Sequence, residues 1–268
     1  MIIVGEKINA SRPEIKRVIE ERDEEALLGF ARLQAEAGAQ YIDVNVAVGT
    51  GSARDEAEYM AWAVWTIVSG LDTPICIDSA DPDVLEAGLQ HKGDRPALLN
   101  STKAEEEFLL PIVDLAARFD TPLVGLAMDE SGIPATVEGR VAACEKIAEA
   151  CRKASIGYDR IYFDPLVLPV STDAKHGLLT LETIGRIKER FPGAKTVMGL
   201  SNISFGLPGR SRLNRAFLHM ALLAGLDAAI ADPLDGAFML ALKTGEVLLG
   251  RDRHCRSYLR ALRKQSEA

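Results

Sequence analysis

Short apolar runs alternate with longer amphipathic segments along the whole chain. Eight such runs occur, and several are almost continuously apolar, which is typical of strands buried on both faces of a parallel sheet. We predict strands over Ile2–Asn9, Tyr41–Val46, Pro74–Ser79, Pro96–Thr102, Pro122–Asp129, Arg160–Val167, Lys195–Ser204 and Ala228–Pro233.

The segments between these runs have helical spacing, with apolar residues three and four positions apart. Gly38 is a usual residue after a helix end, and Asp81 followed by Pro82 is a good helix start. We count one helix after each strand, with bounds for seven of them: Glu14–Ala37, Asp55–Val68, Asp83–Gln90, Val141–Lys153, Leu179–Arg190, Arg212–Leu223 and Ala237–Leu249.

Eight strands, each followed by a helix, predict an α/β fold, a single (β/α)8 TIM barrel. No linker or change of composition divides the chain, so we expect one barrel domain over residues 1–268. A doubly wound open sheet is the alternative. Eight regular units without a GxGxxG fingerprint favour the barrel.

Composition and charge narrow the function classes. The 268 residues are 47% hydrophobic and carry a net charge of −8, with no block of five like charges. This argues against a nucleic-acid partner and a membrane surface, because both need clustered Lys and Arg. The start of the chain has no signal-peptide pattern, and no apolar run approaches the ~20 residues of a membrane span. The four scattered cysteines predict free thiols and a cytoplasmic location.

Polar residues cluster where the predicted strands end. In a TIM barrel these ends converge on one face, which carries the active site. Asn and Asp are poor strand formers, and each alone can serve as a cap, but together they predict a ligand site. The residues at the strand ends are Glu6 and Asn9, Asp43 and Asn45, Asp78, Asn100, Asp129, Asp164, Asn202 and Asp232.

The residue types exclude several chemistries. No His lies near a strand end, and neither HxH nor HExxH occurs, so we predict no metal site and no Ser–His–Asp triad. Lys195 begins its strand, the wrong end for Schiff-base chemistry. Carboxylates and carboxamides suit a flat, neutral heterocycle with an amide-like edge, because they can pair with ring N–H, NH₂ and C=O groups. Pterins present such an edge.

Six fragments, one at each of six strand ends, resemble the pterin-binding methyltransferases. This family includes methyltetrahydrofolate:corrinoid/iron–sulfur protein methyltransferase and the folate module of cobalamin-dependent methionine synthase. The fragments match in order along the whole chain: Val4-Gly-Glu-Lys-Ile-Asn9, Ile42-Asp-Val-Asn45, Cys76-Ile-Asp-Ser79, Leu99-Asn-Ser-Thr102, Tyr162-Phe-Asp-Pro-Leu166 and Val197-Met-Gly-Leu-Ser-Asn-Ile-Ser-Phe-Gly-Leu-Pro-Gly-Arg210, followed by Gly225-Leu-Asp-Ala-Ala-Ile-Ala-Asp-Pro233.

The resemblance implies roles for individual residues. Asp78, Asn100 and Asp164 match family residues that hydrogen-bond the pterin ring, and Asn202 matches the Asn that approaches N5. The implied catalytic set is Asn202, Asp43 and Asp78. Further pocket residues implied by the resemblance are Asn45 and Ser201 in the wall, Glu6 in support of the network, and Arg210 toward the folate tail. Lys7 stands where the family often has Arg, and we expect it to form a structural ion pair.

The resemblance also implies a reaction and partners. The substrate would be tetrahydrofolate or 5-methyltetrahydrofolate, with the methyl group moving between its N5 and the cobalt of a corrinoid. No Asp-x-His-x-x-Gly signature is present, so we expect the corrinoid, a cobalamin, to dock transiently on a separate protein. The direction of transfer and the identity of the corrinoid protein stay open, and a homodimer is expected.

Two alternatives stay open. One is a folate-binding subunit without turnover, although the presence of Asn202 favours an enzyme. The other is an enzyme like dihydropteroate synthase. That family has a Lys after the seventh strand and Arg-x-His on the last, where this chain has Gly-Leu-Ser-Asn-Ile-Ser and Ala-Ile-Ala-Asp-Pro.

Overall fold

Eight parallel strands form a closed barrel, which confirms the predicted (β/α)8 fold. The computed structural model describes residues 1–49 and 53–266. Neighbouring strands pair in chain order, and the last pairs with the first through Val4 and Ile230. The strands are β1 Ile2–Asn9, β2 Tyr41–Asn45, β3 Ile75–Asp78, β4 Ala97–Lys103, β5 Leu123–Leu126, β6 Ile161–Asp164, β7 Lys195–Gly199 and β8 Ala228–Ala231.

Helices connect the strands around the outside of the barrel. Their order follows the chain, and one 3-10 turn, Leu200–Ser204, directly extends the end of β7. The helices are α1 Pro13–Glu21, α2 Glu24–Glu36, α3 Ala53–Gly70, α4 Pro82–His91, α5 Glu106–Arg118, α6 Val137–Lys153, α7 His176–Arg190, α8 Arg210–Ala224, α9 Gly236–Leu248 and α10 Arg256–Ser266.

The single helix predicted over Glu14–Ala37 is wrong, because the structure has two helices there. Arg22 adopts a left-handed conformation with φ 52° and ends α1. Asp23 then begins α2, and its side chain accepts a hydrogen bond from the Ala26 N–H at 3.0 Å. Apolar positions continue on both sides of this break, so periodicity alone did not separate the two helices. A further helix, α10, was not predicted, and it packs on α9.

The apolar core has three clusters. Two lie between the strands and the surrounding helices, and the third and smallest fills the inside of the barrel. The residues inside the barrel include Val4, Cys76, Leu98, Val124 and Val197, all almost fully buried. These side chains fill the lumen below the carboxyl ends of the strands. The lumen therefore has no room for a ligand, and in barrels of this kind the active site lies at the carboxyl-end face.

The structure also gives one finding about membranes. Over residues 1–49 and 53–266, no helix has both the length and the apolar character needed to cross a bilayer.

Candidate active site at the barrel mouth

Polar side chains line the mouth of the barrel, directly above the apolar filling of the lumen. Side chains two residues apart on a strand point to the same side, so the residue two positions after a lumen residue also faces inward. Five strands place a carboxylate or carboxamide there: Glu6 follows Val4, Asp43 follows Tyr41, Asp78 follows Cys76, Asn100 follows Leu98, and Asp164 follows Tyr162.

Strand register brings three predicted site residues side by side. Asn45 pairs with Asp78, and Asp78 pairs with Asn100. The Asn45 side-chain Nδ2 donates to Oδ2 of Asp78 at 2.9 Å, while its Oδ1 accepts from the Ala47 N–H at 3.2 Å. Both ends of this carboxamide are thus fixed. Asn45 therefore holds the Asp78 carboxyl in one orientation.

Asp43 lies deeper in the barrel than Asp78 and is only 2% exposed. Burial raises the pKa of Asp43 well above its ordinary value, the charge of Asp78 raises it further, and contacts from Cys76 and Asn100 partly offset the rise. Burial also raises the pKa of Asp78, against the hydrogen bond from Asn45. No described residue donates a hydrogen bond to Oδ1 of Asp43. Two neighbouring buried carboxyls resist ionising together, so this pair tends to retain a proton.

Asp164 ends β6 and is 9% exposed. Burial raises the pKa of Asp164 to about 7, although the Leu166 N–H and the positive charge of Arg140 act in the opposite direction. The Leu166 N–H donates to Oδ1 of Asp164 at 2.7 Å. Near neutral pH this carboxyl can therefore occur in either protonation state.

Arg140 is a residue of this site that the sequence reasoning missed. It lies on α6, is 1% exposed, and contacts the loop that follows Asp164. A signal was present in the sequence, because Arg140 falls on the same helical stripe as Cys144, Ile147 and Cys151, all buried. A charged residue on an apolar stripe needs buried partners.

The turn after β7 places Asn202 at the open face of the barrel. The predicted strand to Ser204 is wrong here, because β7 ends at Gly199 and the 3-10 turn follows. The Asn202 side chain is exposed. A Cβ atom at Gly199 would lie 3.2 Å from Nδ2 of Asn202, so glycine gives this carboxamide its close approach to the strand end.

Arg210 braces that same turn. Its Nη2 donates to the Ser201 carbonyl at 2.8 Å and its Nε to Oγ of Ser204 at 3.1 Å. The guanidinium carbon also lies 5.9 Å from the centre of the Phe205 ring. Ser201 therefore contributes its carbonyl to this brace, and a contact of Arg210 with a folate tail stays a prediction.

A charged network lies on the β1 and β8 side of the mouth. Lys7 Nζ pairs with Oδ2 of Asp232 at 2.5 Å, which is the structural ion pair expected for Lys7. Glu6 pairs with Arg12 at 3.6 Å, and burial raises the pKa of Glu6 against the opposing charge of Arg12. Glu6 therefore supports the rim next to the polar cluster.

Several of the polar strand-end residues accept a hydrogen bond from the backbone N–H two residues later, as turn caps do. Asp129 lies beyond the end of β5, where its Oδ1 accepts from Oγ of Ser131 at 2.7 Å and from the Ser131 N–H at 3.0 Å. Oδ1 of Asn9 accepts from the Ser11 N–H at 2.9 Å. Asp164 and Asp232 accept the same kind of bond, from the Leu166 N–H at 2.7 Å and the Leu234 N–H at 2.9 Å, so capping a turn does not by itself exclude a strand-end residue from the site. Among residues 1–49 and 53–266, no three His, Cys, Asp or Glu side chains are grouped in a way that could hold a metal ion.

The chain matches known proteins along most of its length. The family described as pterin binding enzyme matches residues 5–232. The methylcorrinoid:tetrahydrofolate methyltransferase of Eubacterium limosum is 39% identical over 269 residues, which cover 98% of this chain and 97% of that protein. Methionine synthases of Mycobacterium leprae and Mycobacterium tuberculosis are 33% and 32% identical over 86% of this chain. The chain spans only 20% of each methionine synthase.

Solved structures show the same fold at low sequence identity. The 7,8-dihydropteroate synthase from Vibrio fischeri ES114 has a TM-score of 0.71 at 17% identity, over 94% of this chain and 93% of that one. The Yersinia pestis enzyme with a pterine-sulfa conjugate has a TM-score of 0.71 at 15% identity, over 94% of each chain. At these identities the likeness concerns the fold alone.

The family match and the full-length relative confirm the resemblance found at the strand ends. The match begins inside β1 and ends just after β8, so it includes all the strand ends that carry the polar ring. This chain belongs to the family of pterin-binding enzymes.

Proposed function

We propose that this protein is a methyltransferase that moves a methyl group between N5 of methyltetrahydrofolate and the cobalt of a corrinoid carried on a separate protein. The observation that carries the proposal is the relative from Eubacterium limosum, a methylcorrinoid:tetrahydrofolate methyltransferase that is 39% identical over essentially both full lengths. The polar ring at the barrel mouth supports it, because its groups suit a pterin edge. We assign residues 1–268 to one pterin-binding barrel domain.

The pterin would bind through Asp78, Asn100 and Asp164. A carboxylate can accept hydrogen bonds from a ring N–H and an exocyclic NH₂ together, while a carboxamide both donates and accepts. Asn45 supports this role, since its hydrogen bond to Asp78 at 2.9 Å holds one acceptor in place. Asn100 and Asp164 are mostly buried, which would strengthen such bonds.

Methyl transfer from N5 leaves the electron pair of the broken C–N bond on that nitrogen. The leaving nitrogen is a poor anion unless a hydrogen-bond donor or a proton stabilises it as charge develops. Asn202, the exposed residue of the turn after β7, is the residue we assign to N5. The buried pair of Asp43 and Asp78 would hold the proton that the site needs, linked to N5 through water.

A corrinoid would supply the cobalt that accepts or donates the methyl group. The chain's own residues would bind and orient the folate and stabilise charge at N5, in either direction of transfer. We place the corrinoid on another protein that docks over the barrel mouth only transiently. The exposed position of Asn202 on the open side of the mouth supports a partner that docks there.

We also propose a cytoplasmic homodimer. Exposed apolar side chains support a second copy of the chain, since α7 and α8 carry Leu178, Met220 and Leu223 with 64%, 56% and 75% exposure. Phe217, on the same helix α8, is only 6% exposed and packs within the chain. The scattered cysteines, all free in the structure, fit the cytoplasm.

A purified-protein assay tests the proposed function. The protein is mixed with 5-methyltetrahydrofolate and free cobalamin reduced to Co(I), and the cobalamin absorbance is followed. We expect methylcobalamin to form in proportion to protein. Folate binding without methylcobalamin would support the non-catalytic subunit instead, and formation of dihydropteroate from its pterin and aminobenzoate precursors would support the synthase-like alternative.

A further inference from the structure

We propose that Arg140 is a positioning residue that fixes the pterin-binding carboxylate of Asp164 through the backbone of the loop between them. The inference rests on the proposed function, because it assigns Asp164 to the pterin. It concerns a helix residue that lies 24 positions away from Asp164 in the chain.

The Arg140 guanidinium is buried and bound by carbonyl groups. Its Nη1 donates to the carbonyls of Pro165 at 2.6 Å and Leu166 at 3.0 Å, and its Nε donates to the Pro134 carbonyl at 3.0 Å. These carbonyls belong to two different loops at the mouth, those after β5 and β6. A planar guanidinium can bond several acceptors in fixed directions, which an ammonium group cannot do. Arg140 therefore ties both loops to α6.

The loop held by Arg140 has an unusual conformation at Leu166. Its φ is 60°, a left-handed conformation that a branched apolar side chain rarely adopts. In this conformation the Leu166 N–H donates to Oδ1 of Asp164 at 2.7 Å. Such a conformation persists only where its surroundings hold it. The bonds from Arg140 to the carbonyls on either side of the Leu166 N–H supply that restraint.

The consequence is a carboxylate with one oxygen engaged and the other available. None of the residues at 1–49 and 53–266 donates a hydrogen bond to Oδ2 of Asp164. Arg140 thus determines which oxygen a pterin N–H can reach. Without it, we expect Leu166 to leave the left-handed conformation and Asp164 to lose its fixed orientation.

The positive charge of Arg140 adds an electrostatic effect. It lowers the pKa of Asp164 against the larger effect of burial, while the charge of Asp164 in turn raises the pKa of Cys144 on α6. Burial raises the pKa of the Cys144 thiol, so it stays neutral near pH 7. The Leu166 N–H acts in the same direction as Arg140. Removing Arg140 should therefore raise the pKa of Asp164.

The experiment compares R140M, R140K and the matched control R152M in the full-length chain. Arg152 lies on the same helix, is exposed, and pairs with Glu149. The Asp164 carboxyl is titrated by ¹³C NMR without ligand, with D164N to assign its signal, and the affinity for 5-methyltetrahydrofolate is measured across pH. For R140M we expect the titration midpoint to rise by about 1 in pH. We also expect R140M to bind about tenfold more weakly, the effect of one charge-assisted hydrogen bond.

R140K keeps the positive charge but replaces the planar guanidinium, whose N–H groups point in fixed directions, with an ammonium group. It should raise the Asp164 midpoint less than R140M does, because the positive charge remains although the Leu166 N–H bond is lost. It should still weaken pterin binding, and it carries the test if R140M does not fold. If either variant binds the pterin as tightly as R152M does, the proposal is wrong. An unchanged midpoint in folded R140M would contradict it as well. Failure of the unmodified protein to transfer methyl groups would overturn the proposed function instead, and the NMR titration would still decide the role of Arg140.

Discussion

Replacing Asp164 with Asn should make the folded protein more stable at alkaline pH while it removes pterin binding. Asp164 is 9% exposed, so ionising it in the folded state is costly. Asn has nearly the same shape, stays neutral, and can still accept the hydrogen bond from the Leu166 N–H. The substitution therefore separates the energetic cost of the carboxylate from its binding role.

The size and sign of the effect follow from the pKa of Asp164. Burial raises it from 3.8 to about 7, so the folded state holds this proton more tightly than the unfolded state does. Stability is then lost as pH rises through this interval. Each tenfold difference in proton affinity between the folded and unfolded states is worth about 1.4 kcal/mol. The loss of stability relative to low pH therefore reaches about 4 kcal/mol at pH 8, and about 3 kcal/mol of it accumulates between pH 5 and pH 8.

Urea unfolding of the unmodified chain, D164N and D129N at pH 5, 6.5 and 8 measures this difference. The stability of D164N relative to the unmodified chain should increase by about 3 kcal/mol between pH 5 and pH 8. D129N is the control, because hydrogen bonds from Ser131 hold the pKa of Asp129 below its usual range and it stays ionised above pH 5. If the free energies of unfolding of D164N and the unmodified chain change in parallel with pH, Asp164 does not carry the burial cost assigned to it.

Three further predictions concern the site, the packing and the assembly. N45A removes the hydrogen bond that lowers the pKa of Asp78, so this carboxyl keeps its proton to a higher pH and pterin affinity should fall. Titration calorimetry should find a larger loss of affinity at pH 6 than at pH 8, and an equal loss at both would contradict this. G88A places a methyl group 2.8 Å from Cγ2 of Ile77, so urea unfolding should show a loss of about 1–3 kcal/mol, whereas G29A meets open space in α2 and should lose nothing. M220E, on the exposed apolar face of α8, should convert a dimer to a monomer in analytical ultracentrifugation, and a persisting dimer would exclude that face.

Much of the fold and of the polar ring was predictable from local pattern. A strand buried on both faces has a nearly continuous apolar run, and eight such runs separated by helical spacing leave few other closed arrangements. The alternation of side chains then places a polar strand end at the mouth. Asp78, Asn100 and Asp164 were found in this way because each directly follows an apolar run, although Asn100 lies within β4 and the other two are the last residues of their strands.

The features that the sequence pattern did not predict depend on contacts between distant segments or on the conformation of a single residue. The bonds of Arg140 go to carbonyls in two loops, and nothing local to α6 indicates those partners. The bonds of Arg210 to Ser201 and Ser204 depend on the 3-10 turn after β7, which the apolar run concealed. The break at Arg22 depends on one left-handed residue within a continuing apolar pattern.

The most direct test of the central claim is the single-turnover rate of methyl transfer from 5-methyltetrahydrofolate to Co(I) cobalamin, measured for N202A beside its folate affinity. Asn202 is exposed at the open face, and the buried residues of its turn are Leu200, Ile203 and Ser204, so the variant should fold normally. Its rate should fall by about a hundredfold or more, the effect of losing one donor to developing charge, while folate affinity changes little. Equal losses of rate and affinity would contradict a role at N5, and an unchanged rate would show that methyl transfer does not involve this residue.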